Sequence, residues 1–182
     1  MKTTISSSLL AIALLAFSAS AAHHKTSENP FSRLTIDLGC VVSDVDAAVE
    51  FYTKAIGFKV AGSFSVDGEY AKDVGLTNGT TLNITILTLG EGEDATKLKL
   101  MSPGDSAPVA NQHITTSLGF SYITIFVHSM DEAMERLNEA GIKTVAKSPL
   151  PLPENLDPSM ALALVRDPDG NIVELVGPKP TR

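Results

Sequence analysis

A tandem repeat limits the folds that this chain can adopt. The first copy occupies Leu34–Val60 and the second occupies Phe120–Val145. In each copy a short stretch alternates in hydrophobicity, a capping residue follows (Asp44 or Ser129), a helical period continues, and a glycine ends the helix. The repeat therefore predicts that one strand–helix–strand arrangement occurs twice in the chain.

The remaining segments complete each copy as a βαβββ module. We predict an α+β fold of two tandem βαβββ modules, with module one at residues 34–101, a polar linker at 102–117 and module two at 118–178. In module two we expect the sixth strand at Ile142–Ala146. We expect an extended loop at Ser148–Pro158, because that segment contains four prolines.

The first 21 residues have the composition of a secretory signal peptide. Lys2 supplies a positive start, Leu9–Phe17 is apolar, and Ala19-Ser20-Ala21 has the form of a cleavage site. The apolar run is too short to span a bilayer, so we expect no membrane association after cleavage. Residues 22–33 are polar and are predicted to be a flexible lead-in. The expected location is the periplasm or the extracellular space.

Charge and cysteine content restrict the chemistry of the chain. The formal charge is −7, and it becomes −8 when Lys2 is removed with the signal peptide. An acidic chain without a basic run is a poor nucleic-acid binder, so no such partner is expected. Cys40 is the only cysteine and cannot form an intrachain disulfide. Its place in the alternation points it towards the helix side and predicts an inert, small hydrophobic side chain.

Cleavage after residue 21 would create the amino terminus Ala22-His23-His24. A free amine, two backbone amides and a third-position imidazole can form a square-planar site for Cu(II) or Ni(II). The two histidines can equally be a coincidence in a tail, and the sequence leaves both interpretations open.

Two segments together resemble the vicinal oxygen chelate superfamily, which contains glyoxalase I, extradiol dioxygenases and the bleomycin resistance proteins. They are GCVVSDVDAAVEFYTKAIGF in module one and VRDPDGNIVELV at the end of module two. The resemblance covers nearly all of Leu34–Gly177. It implies two curved four-stranded sheets around a concave cavity, in a glyoxalase/bleomycin-resistance-type fold. Members pair their modules within one chain or across a homodimer, and the sequence leaves both arrangements open.

The resemblance also implies where a catalytic metal would be bound. The enzymes use His or Gln, Glu, His and Glu, and the matching positions in this chain are Asp37, Lys99, Tyr122 and Glu174. Only Glu174 matches. A lysine cation repels a divalent metal, and a protonated tyrosine is a weak ligand. We therefore expect no metal and no other cofactor at this position.

The same residues allow several interpretations of the cavity. Asp37 and Lys99 are predicted to form an ion pair in the vacated half-site, and the alternative is a catalytic acid and base. Tyr122 and Glu174 either orient a polar ligand or form one hydrogen bond in the cavity wall. Alternation predicts that further side chains line the cavity, although core filling is the commoner fate of Phe and Met: Thr124, Phe126, Asn83, Thr85 and Met101.

These observations support three functions. The first is an exported protein that binds a small organic molecule between its sheets without a metal. The second is an enzyme of the same family, a glyoxalase-like lyase or isomerase or a dioxygenase with an altered metal site. The third is a scaffold that only forms interfaces. The sequence names neither catalytic residues nor a ligand.

Overall fold

The computed structural model describes residues 33–104 and 119–181. The predicted signal peptide, the lead-in up to residue 32, the Ala22-His23-His24 terminus and most of the linker lie outside these residues. In the described ranges, no helix is both long enough and apolar enough to cross a membrane.

The described residues form two four-stranded mixed sheets with helices, which confirms the predicted α+β fold. The strands are β1 (Asp37–Val41), β2 (Lys59–Val66), β3 (Leu82–Leu89), β4 (Thr96–Met101), β5 (Tyr122–Phe126), β6 (Leu150–Pro151), β7 (Met160–Arg166) and β8 (Ile172–Pro178). The helices are α1 (Val45–Glu50), which continues as a π-helical segment (Phe51–Ile56), α2 (Gly68–Asp73) and α3 (Met130–Glu139). The two sheets do not close into a barrel.

The two sheets have the same topology, as the sequence repeat predicts. The strand order is β1-β4-β3-β2 in the first sheet and β5-β8-β7-β6 in the second. In each sheet the first strand is parallel to the last, and the remaining pairs are antiparallel. The register is also repeated. Asp37 is opposite Lys97, and the equivalent residue Tyr122 is opposite Ile172.

The helix termini follow the capping signals in the sequence. Asp44 accepts a hydrogen bond from the Ala47 backbone at 3.0 Å, and Ser129 accepts one from the Glu132 backbone at 3.2 Å. Each side chain satisfies an N–H group that has no partner inside its helix. Gly57 ends the π-helical segment with a φ of 104°, a left-handed conformation that glycine adopts at little cost.

Helix α1, its π-helical segment and α3 pack against the two sheets and form a common core. The π-helical segment buries Phe51, Tyr52, Ala55 and Ile56. Wider turns bring Phe51 and Tyr52 together onto the buried side, where their rings meet edge to face with centroids 5.0 Å apart. The same core includes side chains of β4 and β8, so it joins the two modules.

The predicted sixth strand is wrong. Residues 142–146 contain only an isolated bridge, between Thr144 and Val165. The edge strand is instead Leu150–Pro151, inside the segment that was predicted to be a loop. Proline lacks a backbone donor but is tolerated in an edge strand, where one side of the strand has no partner. The short strand therefore forms despite its prolines.

Candidate functional site

The side of the first sheet away from α1 and α3 carries Asp37 and Lys99, two of the polar residues that the sequence singled out. We call it the ion-pair face. Its residues form three rows across strands β1, β4, β3 and β2, and the pairing register gives each row: Asp37, Lys97, Thr88 and Lys59; Gly39, Lys99, Ile86 and Gly62; and Val41, Met101, Ile84 and Phe64. The first row is polar and the third is apolar, so polarity changes along the strands.

An ion pair stands at the polar end of this face. Lys99 Nζ lies 2.8 Å from Asp37 Oδ2, which confirms the predicted pair. Arg33 donates a second hydrogen bond to Asp37, through the other carboxylate oxygen. The exposed fractions of the Asp37 and Lys99 side chains are 21% and 31%, so the pair is half-buried.

The two cations determine the protonation state of Asp37. The hydrogen bond from Lys99 lowers the pKa of this carboxyl group, burial opposes the shift, and the hydrogen bond from Arg33 lowers the pKa further. Asp37 is therefore ionised at neutral pH. Both of its oxygens already accept hydrogen bonds, which lowers their capacity to bind a metal ion.

The equivalent face of the second sheet carries Glu174, and we call it the Glu174 face. Tyr122, Thr124 and Phe126 of β5 share this face, because Thr124 is opposite Glu174 in the register. Thr124 Oγ1 donates to Glu174 Oε1 at 2.8 Å. The hydroxyl that contacts Glu174 in the structure is thus Thr124, whereas the sequence suggested Tyr122. Tyr122 and Phe126 are exposed.

Asn83 does not lie on the ion-pair face, so its predicted placement there is wrong. Ile86 is opposite Lys99, and alternation along β3 puts Asn83 and Thr85 on the other side of the sheet. Asn83 accepts a hydrogen bond from Ser65 Oγ at 2.7 Å and is exposed. Met101 is on the ion-pair face. Its predicted place in the cavity lining stays a prediction.

A cleft of about 200 Å³ separates the edges of the two sheets. Gly39 and Cys40 of β1 line one wall, and Tyr122 and Ile123 of β5 line the other. The lining is mainly apolar, and Asn171 adds an amide whose Nδ2 is 3.8 Å from Cys40 Sγ. The cleft begins beside the ion pair, because Gly39 is opposite Lys99.

Burial controls the chemistry of Cys40 in this cleft. It raises the pKa of the Cys40 thiol to about 11, and the nearby carboxylates of Asp167 and Asp169 contribute to the shift. The thiol is therefore protonated at neutral pH. A protonated thiol is a poor nucleophile, which agrees with the inert role predicted from the sequence.

A buried polar network joins the modules behind the cleft. Asp167, which is 4% exposed, accepts hydrogen bonds through Oδ1 from the backbone N–H groups of Asp169 (3.0 Å) and Asn171 (2.8 Å). Through Oδ2 it accepts from Asn171 Nδ2 (2.9 Å) and Tyr52 Oη (3.0 Å). The last bond links the two modules, because Tyr52 belongs to module one. Burial raises the pKa of Tyr52, so its hydroxyl stays protonated and donates.

The side chains at the family's metal positions do not fit a divalent metal. Lys99 brings a cation to one position, and that cation is paired with Asp37 at another. Tyr122 offers a phenol, which is a weak metal ligand, and Glu174 a carboxylate that already accepts a hydrogen bond from Thr124. In residues 33–104 and 119–181, no group of three or more His, Cys, Asp or Glu side chains could hold a metal ion.

Three features of the ion-pair face were missed in the sequence. Arg33 was assigned to the lead-in, yet a bend after it brings its guanidinium to Asp37, and the Arg–Asp spacing of four was the available signal. Lys97 shares a face with Lys99 through simple alternation. Ile84 and Ile86 occupy the places expected for Asn83 and Thr85.

Solved structures of glyoxalase-family proteins have a similar fold. A glyoxalase family protein from Bacillus cereus is 23% identical, with a TM-score of 0.64 over 85% of this chain and 99% of that one. A glyoxalase family protein from Enterococcus faecalis is 21% identical, with a TM-score of 0.53 over 78% of this chain and 94% of that one. The trypanothione-dependent glyoxalase I of Leishmania major is 20% identical, with a TM-score of 0.53 over 80% of this chain and 87% of that one. At these identities the similarity shows the fold alone.

Family membership rests on the sequence match. No curated protein is similar enough to this chain to count as a match. The model of the Glyoxalase/Bleomycin resistance protein/Dioxygenase superfamily, by contrast, matches residues 36–175, which run from the start of β1 into β8 and include the four positions that the resemblance implies for a metal. The chain belongs to the Glyoxalase/Bleomycin resistance protein/Dioxygenase superfamily.

Proposed function

We propose that this protein is exported and binds a small organic molecule between its two sheets, without the metal ion used by enzymes of its family. The observation that carries the proposal is the ion pair between Asp37 and Lys99, 2.8 Å apart at two of the four metal positions. The export part rests on the signal-peptide pattern of residues 1–21.

The ion pair opposes metal binding for two reasons. A divalent ion at this site would have to displace Lys99 from Asp37 and would then lie beside the lysine cation. Half-buried charges are screened less by water than exposed ones, so this repulsion is not removed by solvent. Converting the site to metal binding requires removal of Lys99.

The cleft between β1 and β5 supports binding of a small molecule. An apolar cavity of about 150 Å³ is large enough for benzene, and this cleft has about 200 Å³ with a mainly apolar lining. Exposed apolar side chains on both adjoining faces extend it, including Val41, Tyr122 and Phe126. A ligand could be partly enclosed in the cleft and covered further by these side chains.

The metal part is tested by calorimetric titration of Ni(II), Zn(II) and Mn(II). Residues 23 and 24 are first replaced by alanine, so that the predicted amino-terminal site does not contribute. We expect no one-to-one binding in the micromolar range. The double variant Lys99→Glu, Tyr122→His supplies three carboxylates and one imidazole and should gain such binding. Tyr122→His alone is the matched control and should not, because Lys99 remains.

The binding part is tested with the neutral fluorescent probe N-phenyl-1-naphthylamine in EDTA. We expect saturable fluorescence enhancement, and weaker binding by Tyr122→Ala, which removes part of one wall of the cleft. Absence of saturable binding would refute a small-molecule site. Tight one-to-one metal binding by the unmodified site would instead favour an enzyme, a glyoxalase-like lyase or a dioxygenase.

A further inference from the structure

We propose that the ligand of this protein is an amphipathic anion, whose carboxylate, sulfonate or phosphate group is bound by Lys97 and Lys99 on the ion-pair face. The inference rests on the proposed small-molecule function and adds the chemical class of the ligand. The observation behind the inference is that one end of the ion-pair face has an excess of positive charge and the other end is apolar.

The charges near Asp37 do not balance. Arg33, Lys97 and Lys99 bring three cations to this end of the ion-pair face, and in the described part of the chain Asp37 is the only carboxylate that forms an ion pair with any of them. The result is a local net charge of +2 on a chain whose formal charge is −7. This region is cationic although the chain as a whole is acidic, so the overall charge of the chain does not account for it.

Lys97 is the cation available to a ligand. Asp37 is saturated, because one oxygen accepts from Lys99 and the other from Arg33. Lys97 is half-buried, and no side chain in residues 33–104 or 119–181 forms an ion pair with it. The neighbouring Lys59 in the same row is instead paired with Glu91 at 2.7 Å. Lys97 thus has an unused charge, at a place where it is only partly hydrated.

The backbone leaves room for a ligand at the two ends of the second row, on either side of Lys99 and Ile86. Gly39 and Gly62 stand at the two ends of that row, so no side chain rises from the face there. A Cβ atom at Gly39 would meet only Met101 Cε, at 3.6 Å. The second row, which contains Lys99, lies between the polar first row and the apolar third row, and it ends at the cleft, which Gly39 lines.

The apolar third row of the ion-pair face indicates that the rest of the ligand is apolar. Val41, Met101, Ile84 and Phe64 form its third row. Ile84 is buried, so the exposed Val41 and Phe64 and the half-buried Met101 would cover an apolar body, whereas Lys97 and Lys99 would bind its charged group. An uncharged apolar molecule would use only the apolar half of the face, and a small inorganic anion would use only the cationic half.

A matched pair of probes separates this inference from the proposed function. 1-Anilinonaphthalene-8-sulfonate differs from N-phenyl-1-naphthylamine by one sulfonate group. At low salt we expect the sulfonate to bind the protein at least about fivefold more tightly than the neutral probe. One partly exposed charge contact contributes a difference of this size. Raising NaCl from 20 to 300 mM should lower the affinity for the sulfonate, because salt screens the charge contact. The affinity for the neutral probe should not change.

The decisive variant is Lys97→Met, which removes the charge and keeps most of the side-chain volume. It should weaken sulfonate binding about fivefold and leave binding of the neutral probe within about twofold. Lys97→Gln is the second variant, in case the first disturbs folding. Lys143→Met is the matched control for net charge, because Lys143 is exposed and belongs to module two.

The outcomes show whether the proposed function or only the anion preference is wrong. If neither probe binds, the proposed function is wrong and this inference falls with it. If both probes bind equally well, or if Lys97→Met leaves the sulfonate affinity unchanged, the small-molecule site stands and the anion preference is refuted. Equal weakening by Lys97→Met and Lys143→Met would likewise refute it, since net charge alone would then explain the preference.

Discussion

Removing the Tyr52 hydroxyl should destabilise the protein by breaking the link between its modules. The variant Tyr52→Phe loses the hydrogen bond from Tyr52 Oη to Asp167 Oδ2, which is 3.0 Å long and buried. Nothing else in the core changes, because the ring and its edge-to-face contacts with Phe51 and Phe58 remain. The measured effect therefore reports on this one bond.

The magnitude follows from the surroundings of Asp167. A hydrogen bond to a charged group contributes about 1.5–3 kcal/mol. Asp167 is only 4% exposed, so water cannot readily replace the lost donor. It keeps three other donors, two backbone N–H groups and the Asn171 amide, which limits the loss. We expect the free energy of unfolding to fall by about 2 kcal/mol.

Urea unfolding followed by far-UV circular dichroism measures this change. With an m-value of about 2 kcal/mol/M, the midpoint should move down by about 1 M urea. Tyr70→Phe is the matched control, because Tyr70 is 62% exposed. It should change the free energy of unfolding by no more than about 0.5 kcal/mol. Equal effects of the two substitutions would refute the bond between the modules.

Two further predictions follow from pKa shifts. The pKa of Asp37 is lowered by Lys99 and Arg33, so its contribution to stability is complete above about pH 4 and is lost as pH falls through the lowered pKa. The difference in unfolding free energy between the protein and Asp37→Asn should therefore shrink from pH 6 to pH 3, and a constant difference would contradict the ion pair. With a Cys40 pKa of about 11, roughly one thiol in 1,000 is ionised at pH 8. Iodoacetamide should accordingly alkylate the native protein about 100-fold more slowly than the urea-unfolded protein, and similar rates would show that Cys40 is accessible.

Local sequence signals determined the elements of the fold. Asp44 and Ser129 cap helices, and Gly57 ends one, because these effects depend on a few neighbouring residues. The ion pair between Asp37 and Lys99 was also predictable. It needs only alternation in two strands and the knowledge that the first and last strands of a module are neighbours.

The tertiary structure decided which side of each strand faces the helices and which side faces away from them. Alternation gives two faces to β3, but it does not tell which one the helices cover, and both faces of this strand carry apolar residues. Polar Asn83 was therefore placed with Asp37, and the register puts it on the opposite face. The same limit applies to Glu174, since only the register shows that Thr124 is the residue beside it.

The hydrogen bond between the modules shows the same difference between local sequence signals and tertiary packing, for residues that are far apart in the chain. The Phe51-Tyr52 pair and the Asp167 turn were each recognisable in the sequence, as two separate parts of the family resemblance. Their contact joins residues 115 positions apart. Periodicity and capping act over a few residues, and they carry no information about which distant side chains share a buried space. Only packing of the two modules against each other brings Tyr52 to Asp167.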